Sequence, residues 1–131
     1  MKRPDPFHDD VLGTMSWDEE EGGWACRPPR TAFRIVVGGG KRPDANLLAS
    51  ARGLSADPAR VLAQVTSLLK EFADRVPDAA PEVLALQIDA IHLMWPDRSG
   101  DGMIYFKAAD GDRLWRCDYI AGVPGDLGFD D

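Results

Sequence analysis

A chain of 131 residues corresponds to one domain, 1–131, and is long enough to bury a core without disulfides or a structural metal. Its 44% hydrophobic and 28% charged residues are typical of a globular protein and exclude a disordered chain, and no apolar run approaches the ~20 residues that span a bilayer. The formal net charge of -7 disfavours nucleic acid as a partner, because acidic surfaces repel phosphates.

Three strands are predicted before the first helix. Residues 11–17 form a strand, an acidic turn follows over 18–23, and residues 24–27 return as the second strand of a hairpin. Trp17 and Trp24 flank this turn. Residues 31–37 are rich in β-branched and aromatic side chains, which predicts a third strand.

Two helices follow. Pro43-Asp44 begins a short helix over 45–52, which Gly53 ends, and Asp57-Pro58 is a strong start signal for a second helix over 58–75. The second helix carries an apolar stripe at helical period, which predicts that it lies on a sheet. The stripe consists of Val61, Val65, Leu68, Leu69 and Phe72.

Residues 81–95 fit two structures. Their apolar residues alternate with one slip of parity, which favours a strand containing a bulge. A helix on Leu84, Ile88 and Ile91 is the alternative, because a short apolar run does not distinguish the two. We prefer the strand, since Pro96 and a further strand follow.

The C-terminal part predicts a hairpin. Strand 103–108 leads through Asp110-Gly111, a favoured type I′ turn, into a strand that begins near 114. This loop length places Ile104 opposite Cys117 and Tyr105 opposite Arg116. After the hairpin, Leu127 and Phe129 are expected to hold the tail down, with Asp130 and Asp131 free. The order β-β-β-α-α-β-β-β predicts an α+β fold, a mainly antiparallel sheet with helices on one face, and short acidic flexible ends.

The candidate catalytic and metal-binding features are weak. Gly38-Gly39-Gly40-Lys41 lacks the Ser/Thr and the immediate helix of a phosphate-binding loop, which favours a flexible loop. Cys117 points among aromatics, where a thiol is inert, and Cys26 lies near a strand end. His8-Asp9-Asp10 and Asp130-Asp131 offer metal ligands, but at the termini, and His92 has no visible partner.

These features favour a protein without a cofactor, a metal site or catalytic activity. One alternative is a metal- or carboxylate-dependent hydrolase that uses Asp9, Asp10 or the acidic turn. Another is a housekeeping protein that binds a small ligand. The start MKRPDPFHDD lacks the apolar core of a signal peptide, so we expect a cytoplasmic protein with reduced cysteines.

The negative charge is confined to the two ends of the sequence. Residues 1–23 have two basic and seven acidic side chains, residues 126–131 add three aspartates, and residues 24–125 have thirteen basic and twelve acidic residues. If the ends meet, they form an acidic patch for a basic protein partner, with an aromatic anchor. The predicted binding residues are Asp18, Glu19, Glu20, Glu21, Trp24, Asp126, Asp130 and Asp131. The alternative is that the acidic ends are solvated and only keep the protein soluble.

Three segments together resemble a group of small bacterial domains of unknown function that begin with a D-x-x-L-G strand. They are Asp10-Val11-Leu12-Gly13-x-x-x-Trp17-Asp18, Asp110-Gly111-Asp112-Arg113-x-Trp115, and Gly122-x-Pro124-x-x-Leu127-Gly128-Phe129-Asp130. Some members of that group are similar to immunity proteins that accompany polymorphic toxins. The resemblance implies a non-catalytic protein with a protein partner, and it implies no catalytic residues.

Overall fold

Eight strands in one sheet and three α-helices make up the computed structural model, which describes residues 3–108 and 113–130. The strands before the helices are β1 (Phe7–Asp9), β2 (Gly13–Asp18), β3 (Gly23–Cys26) and β4 (Arg34–Val37). The helices are α1 (Ala45–Ala56), α2 (Pro58–Arg75) and α3 (Ala80–Leu84), and the remaining strands are β5 (Gln87–Leu93), β6 (Gly102–Lys107), β7 (Leu114–Ile120) and β8 (Val123–Asp130). The predicted α+β class is confirmed.

The sheet follows the order of the sequence from β1 to β8. All neighbouring strands are antiparallel except β4 and β5, which are parallel, so the predicted mainly antiparallel sheet is also confirmed. Parallel neighbours require a long crossover, and the three helices provide it. The carboxyl ends of β4 and β5 therefore lie at the same edge of the sheet.

The two longer helices begin at aspartate caps. The Asp44 carboxylate accepts hydrogen bonds from the amides of Asn46 and Leu47, and Asp57 accepts one from the amide of Arg60. Helix α2 covers the predicted range 58–75. Its stripe residues Val61, Val65 and Leu69 are buried, whereas Leu68 and Phe72 are partly buried against the core.

Residues 81–95 combine the two structures that the sequence left open. The first part is the short helix α3, and the strand begins only at Gln87. The pairing of β5 with β6 shifts register between Ile88 and Ala90, where the parity of the apolar pattern slips. The strand is therefore shorter than predicted, with a helical turn before it.

The C-terminal hairpin has the predicted register. Ile104 pairs with Cys117 and Tyr105 with Arg116, while the predicted Asp110-Gly111 turn lies outside the described residues. The tail differs from the prediction. Residues 123–130 form β8, which pairs along β7 and includes Asp130, so this aspartate belongs to a strand instead of a free end.

The core joins helices α1 and α2 to alternate residues of the strands. Ile35, Ile91, Ile104 and Cys117 lie side by side across four strands and are buried in it. The residues that alternate with them lie on the other face of the sheet, where polar and apolar side chains are mixed. Arg34, Ala90, Tyr105 and Arg116 form such a row, and Val36, His92 and Met103 form the next.

Candidate functional site

The acidic turn between β2 and β3 is held by its own hydrogen bonds. The Gly22 amide donates to the Asp18 carbonyl at 2.8 Å, and the Glu21 amide donates to Asp18 Oδ1 at 3.1 Å. Gly22 has φ of 68°, the left-handed conformation that glycine adopts without strain. Glu19 and Glu20 lie between these anchor points, and both are exposed. The turn therefore presents two exposed carboxylates on a hydrogen-bonded backbone.

Trp17, and not Trp24, is the accessible aromatic beside this turn. Trp24 is only 1% exposed, because its ring packs in the core and its indole N–H donates to the Gly40 carbonyl at 3.2 Å. It is therefore wrong to expect Trp24 as an exposed anchor. Trp17 pairs across the hairpin with Trp24, and the two rings meet edge to face with centroids 5.8 Å apart. Trp17 is partly buried and lines an open cavity of about 410 Å³ together with Asp18, Glu19 and Glu20.

Glu21 turns back onto the sheet and joins a polar cluster. Its Oε1 accepts a hydrogen bond from an Arg34 guanidinium nitrogen at 2.8 Å, and its Oε2 lies 3.1 Å from His92 Nε2. The same Arg34 nitrogen is 3.6 Å from Asp89, and the His92 ring lies 4.6 Å from the Tyr105 ring. Glu21 is thus engaged within the protein, in contrast to its predicted role in the presented acidic surface. No sequence pattern predicts this cluster, because its members come from different elements.

Burial favours the neutral form of His92. Burial lowers its pKa below the ordinary 6.5, the Glu21 carboxylate opposes this shift, and Arg34 adds to it. Glu21 holds the pKa of Arg34 above its ordinary value, mainly through their hydrogen bond. A carboxylate beside an imidazole can exchange a proton, but such a pair also needs a nucleophile or a bound water to do chemistry.

The two thiols do not supply a nucleophile. Both Cys26 and Cys117 are buried and free of disulfides. Burial raises the pKa of Cys26 to about 11 and that of Cys117 to about 12. Both therefore stay protonated at neutral pH, and Cys26 is less accessible than its position near a strand end suggests.

The N-terminal candidates for metal ligation are engaged in structure. Asp9 is buried, and its Oδ2 accepts hydrogen bonds from the amides of Val11 and Leu12 at 3.0 and 2.9 Å. Its Oδ1 accepts from two nitrogens of Arg52. Asp10 is exposed beside it. Over residues 3–108 and 113–130, no group of three or more His, Cys, Asp and Glu side chains is arranged to hold a metal ion.

The C-terminal acids lie far from the acidic turn. Asp130 accepts hydrogen bonds from Arg116 Nε and a terminal nitrogen at 3.0 and 3.3 Å, Asp126 is exposed, and Asp131 lies outside the described residues. Strands β4 to β7 separate β3 from β8. Five strand spacings correspond to ~24 Å, so the two acidic ends do not form one patch.

The fold and this surface define a small α+β protein with a rigid acidic turn at one end of its sheet. Comparison with known proteins adds no relative, because no protein-family profile, no curated protein and no solved structure matches the chain. Within the described residues, none of the helices combines the length and the apolar character that crossing a bilayer requires.

Proposed function

We propose that this chain is a non-catalytic protein-interaction domain of the immunity or regulatory type, acting in the cytoplasm, whose acidic turn binds a basic surface of a protein partner. The observation that supports it most is the turn itself. Asp18 fixes the backbone on both sides of Glu19 and Glu20, and these two carboxylates stand exposed beside Trp17. The resemblance to immunity-type domains points to the same class of function.

The geometry of the turn favours binding in two ways. A turn that is already ordered loses little conformational entropy when a partner docks on it. Two exposed carboxylates attract a basic surface and speed association, while the accessible part of Trp17 supplies apolar contact. The proposed binding surface is therefore Trp17, Asp18, Glu19 and Glu20. It is smaller than the sequence predicts, because Glu21, Trp24 and the C-terminal acids lie elsewhere.

In this proposal the helices cover one face of the sheet and serve as support. The acidic turn would repel phosphates, so neither nucleic acid nor a membrane surface is proposed as a partner.

A charge reversal tests the proposal. Wild-type protein, immobilised through a tag, should retain a basic protein from a lysate of the source organism in low salt and release it at about 0.5 M salt, because salt screens charge pairs. Glu19→Lys with Glu20→Lys should retain that protein much less. The matched control is Glu71→Lys with Asp74→Lys, which makes the same charge change on exposed residues of α2.

The comparison of the two double variants decides the outcome. A partner lost only from the turn variant supports the proposal. Equal retention by all three proteins, or no retained protein in any of them, contradicts it.

The alternative of a metal-dependent hydrolase has less support. The Asp9 carboxylate binds Arg52 and two backbone amides, which leaves it engaged instead of open to a metal. We therefore expect Mg²⁺, Mn²⁺ or Zn²⁺ to leave the melting temperature unchanged. A stabilisation of several degrees that Asp9→Asn or Asp10→Asn abolishes would favour the hydrolase.

A further inference from the structure

The segment 38–44 between β4 and α1 is a closed loop held by hydrogen bonds, in contrast to the flexible loop that its glycines predict. The Asp44 amide donates to the Gly38 carbonyl at 2.9 Å, and Gly39 and Pro43 form an antiparallel bridge. A Cβ on Gly39 would lie 2.2 Å from the Arg42 carbonyl oxygen, so only glycine allows this close approach.

The tip of this loop is also fixed from outside. The Trp24 indole N–H donates to the Gly40 carbonyl, and the Gly38 amide donates to the Leu93 carbonyl at the end of β5. Lys41 and Arg42 follow directly and are both exposed. The fold therefore presents two adjacent cations on a rigid loop.

These two cations line a cavity of about 570 Å³ together with Arg3. Asp5 is the one acidic side chain in its wall, which leaves a local excess of two positive charges in a chain whose net charge is -7. Within residues 3–108 and 113–130, none of the three cations has an ion-pair partner. Uncompensated cations around a concave surface attract an anion.

The rest of the wall is apolar. Phe7 and Trp24, with Pro4 and Pro6, complete the lining, and Phe7 is only partly buried. The volume lies within the ~300–1,000 Å³ of small-molecule sites, which combine apolar walls with a few placed polar groups. The cavity therefore suits an anion with an apolar portion.

The loop differs from a phosphate-binding helix start. The first amides of α1, those of Asn46 and Leu47, already donate to the Asp44 carboxylate. Recognition would therefore come from side chains. Guanidinium groups match phosphate oxygens with paired hydrogen bonds, and an ammonium adds a point charge.

The size of the ligand is limited by its surroundings. Arg3 also lines the neighbouring cavity, whose wall contains Glu19 and Glu20. A long polyanion leaving the basic cavity on this side would meet those carboxylates and be repelled. A small molecule with one or two phosphate groups would not reach them.

We propose that the cavity between Arg3, Lys41, Arg42 and Phe7 binds a small phosphorylated organic molecule. Its phosphate contacts the three cations, and its apolar part lies against Phe7 and the prolines. This site is separate from the acidic turn surface and does not depend on a protein partner.

Four probes test the site by calorimetry and by ¹H–¹⁵N NMR: inorganic phosphate, pyrophosphate, ribose 5-phosphate and AMP. We expect saturable binding, strongest for a probe with an organic portion, and chemical-shift changes centred on the amides of 38–42 and on the Trp24 indole N–H. Lys41→Gln with Arg42→Gln should weaken the affinity at least about tenfold, because charge-assisted hydrogen bonds are lost. Both side chains are exposed, so the fold should persist, and circular dichroism checks this.

Lys70→Gln with Lys107→Gln is the matched control, because it removes two exposed lysines outside the cavity and should bind like wild type. Arg3→Gln provides a second, single-site variant, with an expected loss of several-fold. The proposal is overturned if no probe saturates by about 10 mM, or if the loop and control variants bind equally. Equal affinity for inorganic phosphate and AMP would retain the anion site and overturn the role of the apolar wall.

Discussion

Asp9 is the only charged residue that is buried in the described part of the chain. It ties the amides of Val11 and Leu12 to Arg52 on α1, and so connects the N-terminal strands to the helices. Asp9→Ala should lower the free energy of unfolding by about 2–3 kcal/mol, because it leaves buried donors without an acceptor. Urea denaturation at pH 7 measures this loss.

The effect of Asp9 should depend on pH. The Arg52 hydrogen bond, more than any other contact, holds the pKa of Asp9 below its ordinary 3.8. The stabilisation is therefore present above pH 3.8 and is lost as the pH falls through the folded-state value. Asp10→Ala removes an exposed neighbour and is the control, with an expected change within ~0.5 kcal/mol. If Asp9→Ala changes stability as little as the control does, the hydrogen bonds of the buried Asp9 carboxylate do not stabilise the fold as proposed.

His92 should give the protein a second acid sensitivity at a higher pH. Its pKa lies below 6.5 because of burial, and it faces Glu21, Arg34 and Asp89. The unfolded chain therefore binds a proton more readily than the fold, so stability falls as the pH drops below about 7. In His92→Gln this decline between pH 7 and 5 should flatten, whereas His8→Gln, at an exposed position, should keep it. Thermal melts across this range would refute the idea if both variants follow wild type.

The turn between β7 and β8 holds an alanine in a strained backbone conformation that another residue type would relieve. Ala121 and Gly122 have φ of 50° and 78°, which is the left-handed pair of a two-residue hairpin turn. Alanine adopts this conformation at a cost of ~1 kcal/mol, whereas asparagine tolerates it. Ala121→Asn should therefore raise the melting temperature by ~2–4 °C. The hydrogen bond from the residue 121 amide to Asp101 is unaffected by the substitution.

A branched residue tests the same turn in the opposite direction. Ala121→Val should lower the melting temperature, because β-branching adds to the strain at positive φ. If Ala121→Asn and Ala121→Val change the melting temperature in the same direction, the backbone conformation of this turn does not control stability.

Elements whose signals are local could be predicted from the sequence. The sequence pattern Asp110-Gly111 predicts a two-residue loop, and the pairing of Ile104 with Cys117 that follows from this prediction is observed. Helix α2 has a cap, a proline and a stripe within its own residues. By contrast, β8 is rich in Gly, Pro and Asp and has little strand propensity, so its conformation comes from pairing along β7.

In the acidic turn and its surroundings, too, features with a local signal could be predicted and features that depend on distant residues could not. The exposure of Glu19 and Glu20 follows from the composition of the turn, and the sequence predicted it. The burial of Trp24 depends on β4 beside it and on the Gly40 carbonyl above it. The pairing of Glu21 with Arg34 and His92 joins three segments. Such long-range contacts leave no periodic pattern, so the sequence could not distinguish Trp17 from Trp24 as the accessible ring.

For the molecule as a whole, the sheet order separates the two acidic ends. The ~24 Å between β3 and β8 is three times the ~8 Å Debye length at physiological salt. The ends therefore act as independent charges, and a partner attracted by the turn gains little from the tail. Asp126→Asn should leave the retention of a partner bound at the turn unchanged. The double variant Glu19→Lys with Glu20→Lys, which should lose the partner, is the reference. An equal loss in both would mean that the tail takes part in binding.

Stability should decrease from the centre of the sheet to its edges. β5 lies between β4 and β6, so both of its edges are hydrogen-bonded, and its residues Ile91 and Leu93 are buried. On the other face of these strands, Val36 and Ala90 are also buried. Opening β5 therefore requires the loss of the core, which is global unfolding, whereas β1 has three residues and one neighbour.

In native-state hydrogen exchange, the amides of Ile91 and Leu93 should be among the slowest and should exchange with the global free energy of unfolding. Those of 7–9 should exchange through local opening at far lower denaturant. Equal protection of β1 and β5 would mean that the N-terminal strand belongs to the same cooperative unit, and would contradict the prediction.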